Sequence, residues 1–195
     1  DRNISLKKAW NLMQDANVVT LPAVNANNVL EGLITVGDIT KSYMNVLDSS
    51  ILSKARTQYS NIIETLEGQL VIGEESTYFD QGKVLIAAAN PDLMEYYIAP
   101  HDLVILGNRY ESQLCAIEME ADCILLAKAI DGGAAVSMTI RKLAQERGCT
   151  VITTPYDTYT AARLINQSMP ISYFMKTENP GTALSQFIHH IHSAL

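Results

Sequence analysis

The sequence predicts an α/β protein: a short helix–strand–strand–helix module, then a doubly wound, mainly parallel α/β domain. Five apolar runs of strand length, QLVIG, KVLIAAA, DLVILG, CILLA and TVITT, recur between residues 69 and 154, with helical periods or capping signals between them. Continuous apolar strands alternating with helices belong in a parallel sheet covered on both faces. Residues before 50 differ, with two β-branched runs around an Asn-rich turn and a helical segment on each side. At 195 residues, 48 % of them hydrophobic, the chain is long enough to bury the cores of one or two domains.

In order along the chain, SLKKAWNLMQDA places Leu6, Ala9, Trp10 and Met13 at helical spacing behind Ser5, a good N-cap. VVTLPAV (18–24) and VLEGLITV (29–36) read as two strands joined by NANN, and Asp38 is expected to cap a helix reaching about Val46. This first module, residues 1–50, is small for an independent core and needs a partner surface. A polar connector, 47–56, leads to the second domain, 57–177. There Pro91 opens a helix expected to reach Tyr97, Ser137 caps SMTIRKLAQER with Gly148 as its stop, and Asp157 caps TYTAARL. Residues 178–195 read as a C-terminal helix.

Charge and cysteines exclude several classes. A net charge of −7 and the absence of any Lys or Arg run argue against nucleic acid, and no apolar run approaches the ~20 residues of a membrane span. Cys115, Cys123 and Cys149 lack CxxC spacing and sit in apolar stretches, which predicts reduced, buried thiols in a cytoplasmic protein. The first residue is Asp1, so the chain is expected to be an excised or processed piece of something longer.

The sharpest local feature is Gly32–Ile39, GLITVGDI, where a strand turns directly into a helix between a hydroxyl, Thr35, and a carboxylate, Asp38. The free N–H groups and dipole of a helix start attract an anion. A carboxylate repels phosphate but accepts two hydrogen bonds from a ribose diol, so the pair suits a nucleotide with its sugar on Asp38 and its phosphate on Thr35. The same two residue types also serve simply as a helix cap.

The span AWNLMQDANVVTLPAV…NNVLEGLITVGDITKSYM resembles a CBS domain, lacking only the first strand. The resemblance implies binding of an adenine nucleotide, with ribose and phosphate held by Thr35 and Asp38 and the adenine wall formed by Val18, Thr20, Leu21 and Pro22. The segment VITTPYDTYTAARLINQSMP, together with LVILGNRYESQLCAIE, resembles a DRTGG domain; its namesake signature stands here as Gly107-Asn108-Arg109 and Lys128–Gly133. The order CBS, DRTGG is similar to the regulatory insert of CBS-containing family II inorganic pyrophosphatases, with residues 178–195 as the start or remnant of a second CBS module. That resemblance implies a non-catalytic regulatory fragment that binds AMP, ADP, ATP or a diadenosine polyphosphate and controls a linked pyrophosphatase. Manganese or cobalt would then belong to catalytic domains outside the chain.

Other constellations are weaker. Gly132-Gly133 beside Asp131 lacks the following Lys and Ser/Thr of a P-loop and reads as a tight turn. His189, His190 and His192 have no acidic or Cys partner nearby and read as part of an interface helix, not a metal site. No Ser-His-Asp, Cys-His or paired-Glu arrangement stands out, so no catalytic residue is assigned. The expected assembly is a homodimer that covers the small module's open faces. The rival readings are a stand-alone CBS/DRTGG sensing or scaffold module, and an α/β enzyme acting at the strand ends.

Overall fold

Ser5 begins the first helix as expected: its hydroxyl accepts a hydrogen bond from Lys8 N at 3.1 Å. Helix α1 runs Leu6–Ala16 and ends where Asn17 turns left-handed at φ 51°. The computed structural model describes residues 1–44, 48–129 and 131–175; the expected C-terminal helix, 178–195, and its three histidines lie outside the described residues. Leu6, Ala9 and Met13 form the buried stripe of α1, whereas Trp10 stays 38 % exposed, on the flank of that stripe.

Strands β1 (Thr20–Val24) and β2 (Leu30–Thr35) pair antiparallel, with Thr20 opposite Thr35, Leu21 opposite Ile34 and Pro22 opposite Leu33. Asn25 builds the turn between them, its Oδ1 accepting from Asn27 N and Val29 N. Arg2 and Asn25 both bond Glu31, which ties the N-terminus and the turn to β2. Helix α2 spans Val36–Met44, with Asp38 in its first turn. Asp38 is therefore not the cap that the sequence suggests; Thr35, immediately before the helix, takes that position.

The chain divides into two compact units, Asp1–Val46 with Pro170–Leu195 and Leu47–Met169. Two expected boundaries move. Pro170–Met175 joins the first unit and not the second, because Ser5 and Pro170 form a β-bridge and the N–H groups of Ile171 and Ser172 donate to Ile4 O and Arg2 O. The expected polar connector folds with the second unit, because helix α3 (Ile51–Lys54) buries Ile51 and Leu52.

Within the second unit, β3 (Thr57–Gln58) pairs with β5 (Tyr78–Phe79) in a two-stranded sheet around α4 (Tyr59–Thr65). The main sheet has five strands, β4 (Gln69–Ile72), β6 (Val84–Ile86), β7 (Leu103–Leu106), β8 (Cys123–Leu126) and β9 (Thr150–Thr153), in the order β4-β9-β8-β7-β6. The five are the apolar runs of the sequence. β6 to β9 are parallel, and β4 departs by running antiparallel to β9 with a bulge between Leu70 and Ile72. Every residue of β7, β8 and β9 is buried, so both faces of the sheet are covered.

The connecting helices are α5 (Pro91–Met94), α6 (Tyr110–Glu118) and α7 (Met138–Arg147), with α8 (Thr158–Leu164) after β9. Pro91 holds the first position of α5, which stops at Met94 and not at Tyr97; Tyr96 is 85 % exposed and has no core to reach. From β6 to β9 each crossover steps the same way, and right-handed connections then put α5, α6 and α7 on one face, where successive helices pack together. Val104, Leu106, Ile124, Val151, Ile140 and Ala116 are the centre of that core. Burying each larger side chain contributes about 1.5–3 kcal/mol.

Candidate functional site

The β1/β2 register brings Thr20 and Thr35 face to face at the end of the small sheet, where β2 turns into α2. Alternation along the strands puts Thr20, Pro22, Leu33 and Thr35 on one face and Leu21, Ala23 and Ile34 on the other. Ala23 and Ile34 are fully buried, so that second face is the core face. Of the residues predicted for the nucleotide, Thr20 pairs with Thr35, which bonds Asp38; Pro22 lies two residues along the same face, and Leu21 has its side chain on the core face. Val18 is 41 % exposed beside them, with its N–H bonded to Met13 O at the end of α1.

Thr35 and Asp38 bond each other in both directions. The Thr35 hydroxyl donates to Asp38 Oδ2 at 2.7 Å and accepts from Asp38 N at 3.2 Å, while Thr35 N donates to the same Oδ2 at 3.0 Å. This is a capping box, in which a hydroxyl before the helix and a carboxylate in its first turn satisfy each other's backbone. Val36 N is also used, donating to Val19 O at 3.0 Å. What stays open among the described residues is Asp38 Oδ1, an acceptor, and Gly37 N, a donor.

The Thr20 hydroxyl adds a third open group. It is buried and has no hydrogen-bond partner, which costs about 1–3 kcal/mol in an interior that nothing compensates. Sequence reading placed Thr20 here only through the resemblance; the register across β1 and β2 is what sets its hydroxyl beside Thr35. The contributions of Val19, 65 % exposed and bonded through its carbonyl, and of Gly37 N are backbone properties that residue types do not announce.

The remaining candidates resolve as structure. Gly132 begins a 3-10 turn, Gly132–Ala135, and a Cβ there would lie 2.2 Å from Gln69 Oε1, so the side chain of Gln69 fills the space a phosphate would need. Arg141 bonds Gly133 O and Val136 O and closes the same turn. In TTPYDTYTAARL, Asp157 caps α8 through Thr160 N at 2.9 Å, and the Thr154 hydroxyl donates to Leu66 O at 2.7 Å. Cys115, Cys123 and Cys149 are free and buried. Burial pushes the Cys149 thiol up to about 12 and raises the other two, which keeps them protonated and poor nucleophiles. Among the described residues no group of His, Cys, Asp and Glu is placed to hold a metal ion, and no helix is long and apolar enough to cross a membrane.

The DRTGG domain pattern matches residues 61–168, more than half of the chain. The cobalt-dependent inorganic pyrophosphatase of Clostridium perfringens is 40 % identical over 177 residues, 90 % of this chain and 31 % of that protein. A probable manganese-dependent inorganic pyrophosphatase of Thermotoga maritima is 24 % identical over 169 residues, 87 % of this chain and 30 % of that protein. The chain thus spans under a third of the length of these two relatives. A crystal structure of the CBS and DRTGG domains of the regulatory region of the C. perfringens pyrophosphatase, complexed with the activator diadenosine tetraphosphate, matches with a TM-score of 0.84 and 37 % identity, over 91 % of this chain and 76 % of that one. With that fold, that arrangement and that coverage, the chain belongs to the DRTGG domain family, in the form that carries a CBS module before the DRTGG domain.

Proposed function

We propose that this chain is a non-catalytic regulatory region that binds an adenine nucleotide at the β2-to-α2 turn and controls a linked family II inorganic pyrophosphatase. The observation that carries the reading is the set of groups left open at that turn: Asp38 Oδ1, Gly37 N and the orphaned Thr20 hydroxyl, within one compact site. A ribose diol donates to Oδ1, a phosphate oxygen accepts from Gly37 N, and the base lies along Val18–Pro22. The likeness to a regulatory region complexed with diadenosine tetraphosphate supports the choice of nucleotide. On this reading the first unit carries the CBS-type module, residues 61–168 of the second are the DRTGG domain, and manganese or cobalt is held by catalytic domains elsewhere.

The working form is a cytoplasmic homodimer in which a second copy covers the open side of the small module. A ligand controls activity in such a dimer only by preferring one of its two arrangements. Calorimetric titration of the chain with AMP, ADP, ATP and diadenosine tetraphosphate tests the reading: saturable binding by at least one is expected, and heats no larger than dilution for all four overturn it. Sedimentation at micromolar concentration, with and without AMP, tests the dimer; a sharp monomer in both samples rejects it.

A further inference from the structure

A second strand-to-helix turn, in the other unit, has the opposite chemistry. Helix α6, nine residues long, follows β7 through Gly107-Asn108-Arg109, the residues of the DRTGG signature that the nucleotide reading leaves unused. Helices α1, α7 and α8 are capped by Ser5, Ser137 and Asp157, and α4, without a side-chain cap, has Tyr59 N and Ser60 N bonded to Thr77 O and Glu75 O. The residue before α6 is Arg109, which has no acceptor to offer. The N–H groups of Tyr110, Glu111 and Ser112 are left without partners among the described residues.

The independent sign of a ligand is Ser112. It is only 3 % exposed, and its hydroxyl has no hydrogen-bond partner. The Cα–Cβ bonds of a helix tilt toward its N-terminus, so Ser112, in the first turn of α6, carries its hydroxyl on the side of the open helix end. Two further bonds hold the rim of the turn. Arg109 is held by a 2.9 Å bond from its guanidinium to Ala89 O, and Gln113 Nε2 takes up Gly107 O at 3.3 Å, so that carbonyl does not oppose an anion. A Cβ on Gly107 would meet nothing within 4 Å, and residues 107–110 are exposed, so the approach is open. The one opposing charge on the turn is the exposed carboxylate of Glu111.

We propose that the β7-to-α6 turn binds a phosphoryl group, held by the first-turn N–H groups of α6, the Arg109 guanidinium and the Ser112 hydroxyl. Three N–H donors and a guanidinium fork match a tetrahedral oxyanion better than they match a planar carboxylate. The proposal does not depend on the nucleotide reading, because it concerns different residues in the other unit.

The test is titration of the 15N-labelled chain with inorganic phosphate at constant ionic strength, followed by amide NMR. Saturable shifts are expected at Gly107, Tyr110 and Glu111. Ser112→Ala should weaken phosphate binding about fivefold, and Arg109→Gln about tenfold or more. Ser112→Ala removes an unpaired buried hydroxyl, so it folds and melts higher, and lost affinity cannot be put down to unfolding. Shifts reproduced by chloride, or phosphate affinity unchanged in Ser112→Ala, overturn the proposal. An AMP arm reads the source of the group: shifts at Gly107 with AMP as well as phosphate identify a nucleotide phosphate, and shifts with phosphate alone identify the free ion, while Gly37 reports the first site separately.

Discussion

The two units each turn a strand directly into a helix, and the two turns are finished in different ways. At β2-to-α2 a hydroxyl and a carboxylate close the helix start on each other, so one N–H, that of Gly37, and one carboxylate oxygen remain. At β7-to-α6 no side chain closes the start; three N–H groups, a guanidinium and a buried hydroxyl remain, with the exposed carboxylate of Glu111 beside them. The same backbone geometry thus offers an acceptor-rich site suited to a sugar diol and a donor-rich site suited to a phosphoryl group. The difference lies in two positions, Thr35 against Arg109 before the helix and Asp38 against Ser112 within its first turn.

The largest expected effect comes from removing the acceptor of the first turn. Asp38→Ala should lower adenine-nucleotide affinity by about 1.5–3 kcal/mol if its carboxylate bonds the ribose, and also loosen α2. Asp38→Asn separates the two roles, because Asn still accepts from Thr35 N within the capping box but has lost the charge. Affinity unchanged in both variants would mean that the turn is a cap and nothing more.

Exchanging the caps sharpens the comparison at the next level. Thr35→Ala should cost the first unit about 0.5–2 kcal/mol in urea unfolding, the usual loss for a cap of this kind. Arg109→Ser, which supplies α6 with the acceptor it lacks, should stabilise the second unit by about 0.5–1 kcal/mol and abolish the phosphate shifts at Gly107. A destabilised Arg109→Ser would show that the guanidinium bond to Ala89 O matters more to the fold than the missing cap.

Much of the fold is legible because its signals are local. Ser5, Ser137, Asp157 and Gly148 announce helix ends through their own hydrogen bonds or, for Gly148, a left-handed φ of 69°. The runs of β7, β8 and β9 announce strands because both their faces are buried, and β4 and β6, half-buried at the sheet edges, share the same β-branched texture. Strand direction is not local: β4 has the same texture as its neighbours and runs the other way, at the sheet edge and with a bulge. β3 and β5 are two residues each, too short for any period, and Phe79 is buried by long-range packing alone. At the site, Thr35 and Asp38 are legible as a pair of the right types at the right spacing. The roles within the pair are not, since which residue precedes the helix depends on where β2 ends. The open hydroxyls of Thr20 and Ser112 are invisible in sequence, because an absent partner is a property of the packed structure.

The smallest effect concerns a third strand-to-helix turn, β9-to-α8, which is closed by a carboxylate as the first is. Asp157 accepts from Thr160 N at 2.9 Å and from its hydroxyl at 3.0 Å, and these bonds, the backbone one foremost, hold its carboxyl below the ordinary 3.8. A folded-state pKa lowered in this way stabilises the protein at pH above the ordinary carboxylate value, and the contribution disappears as pH falls through the folded value. Melting curves between pH 6 and pH 3 should therefore show Asp157→Asn losing less stability on acidification than the unaltered chain, with the two curves converging at the acid end. Arg109→Gln, at the turn without a carboxylate cap, should track the unaltered chain over the same range. Parallel curves for Asp157→Asn and the unaltered chain would show that the α8 cap works through geometry alone, and that the charge on such a turn matters only when a ligand is present to read it.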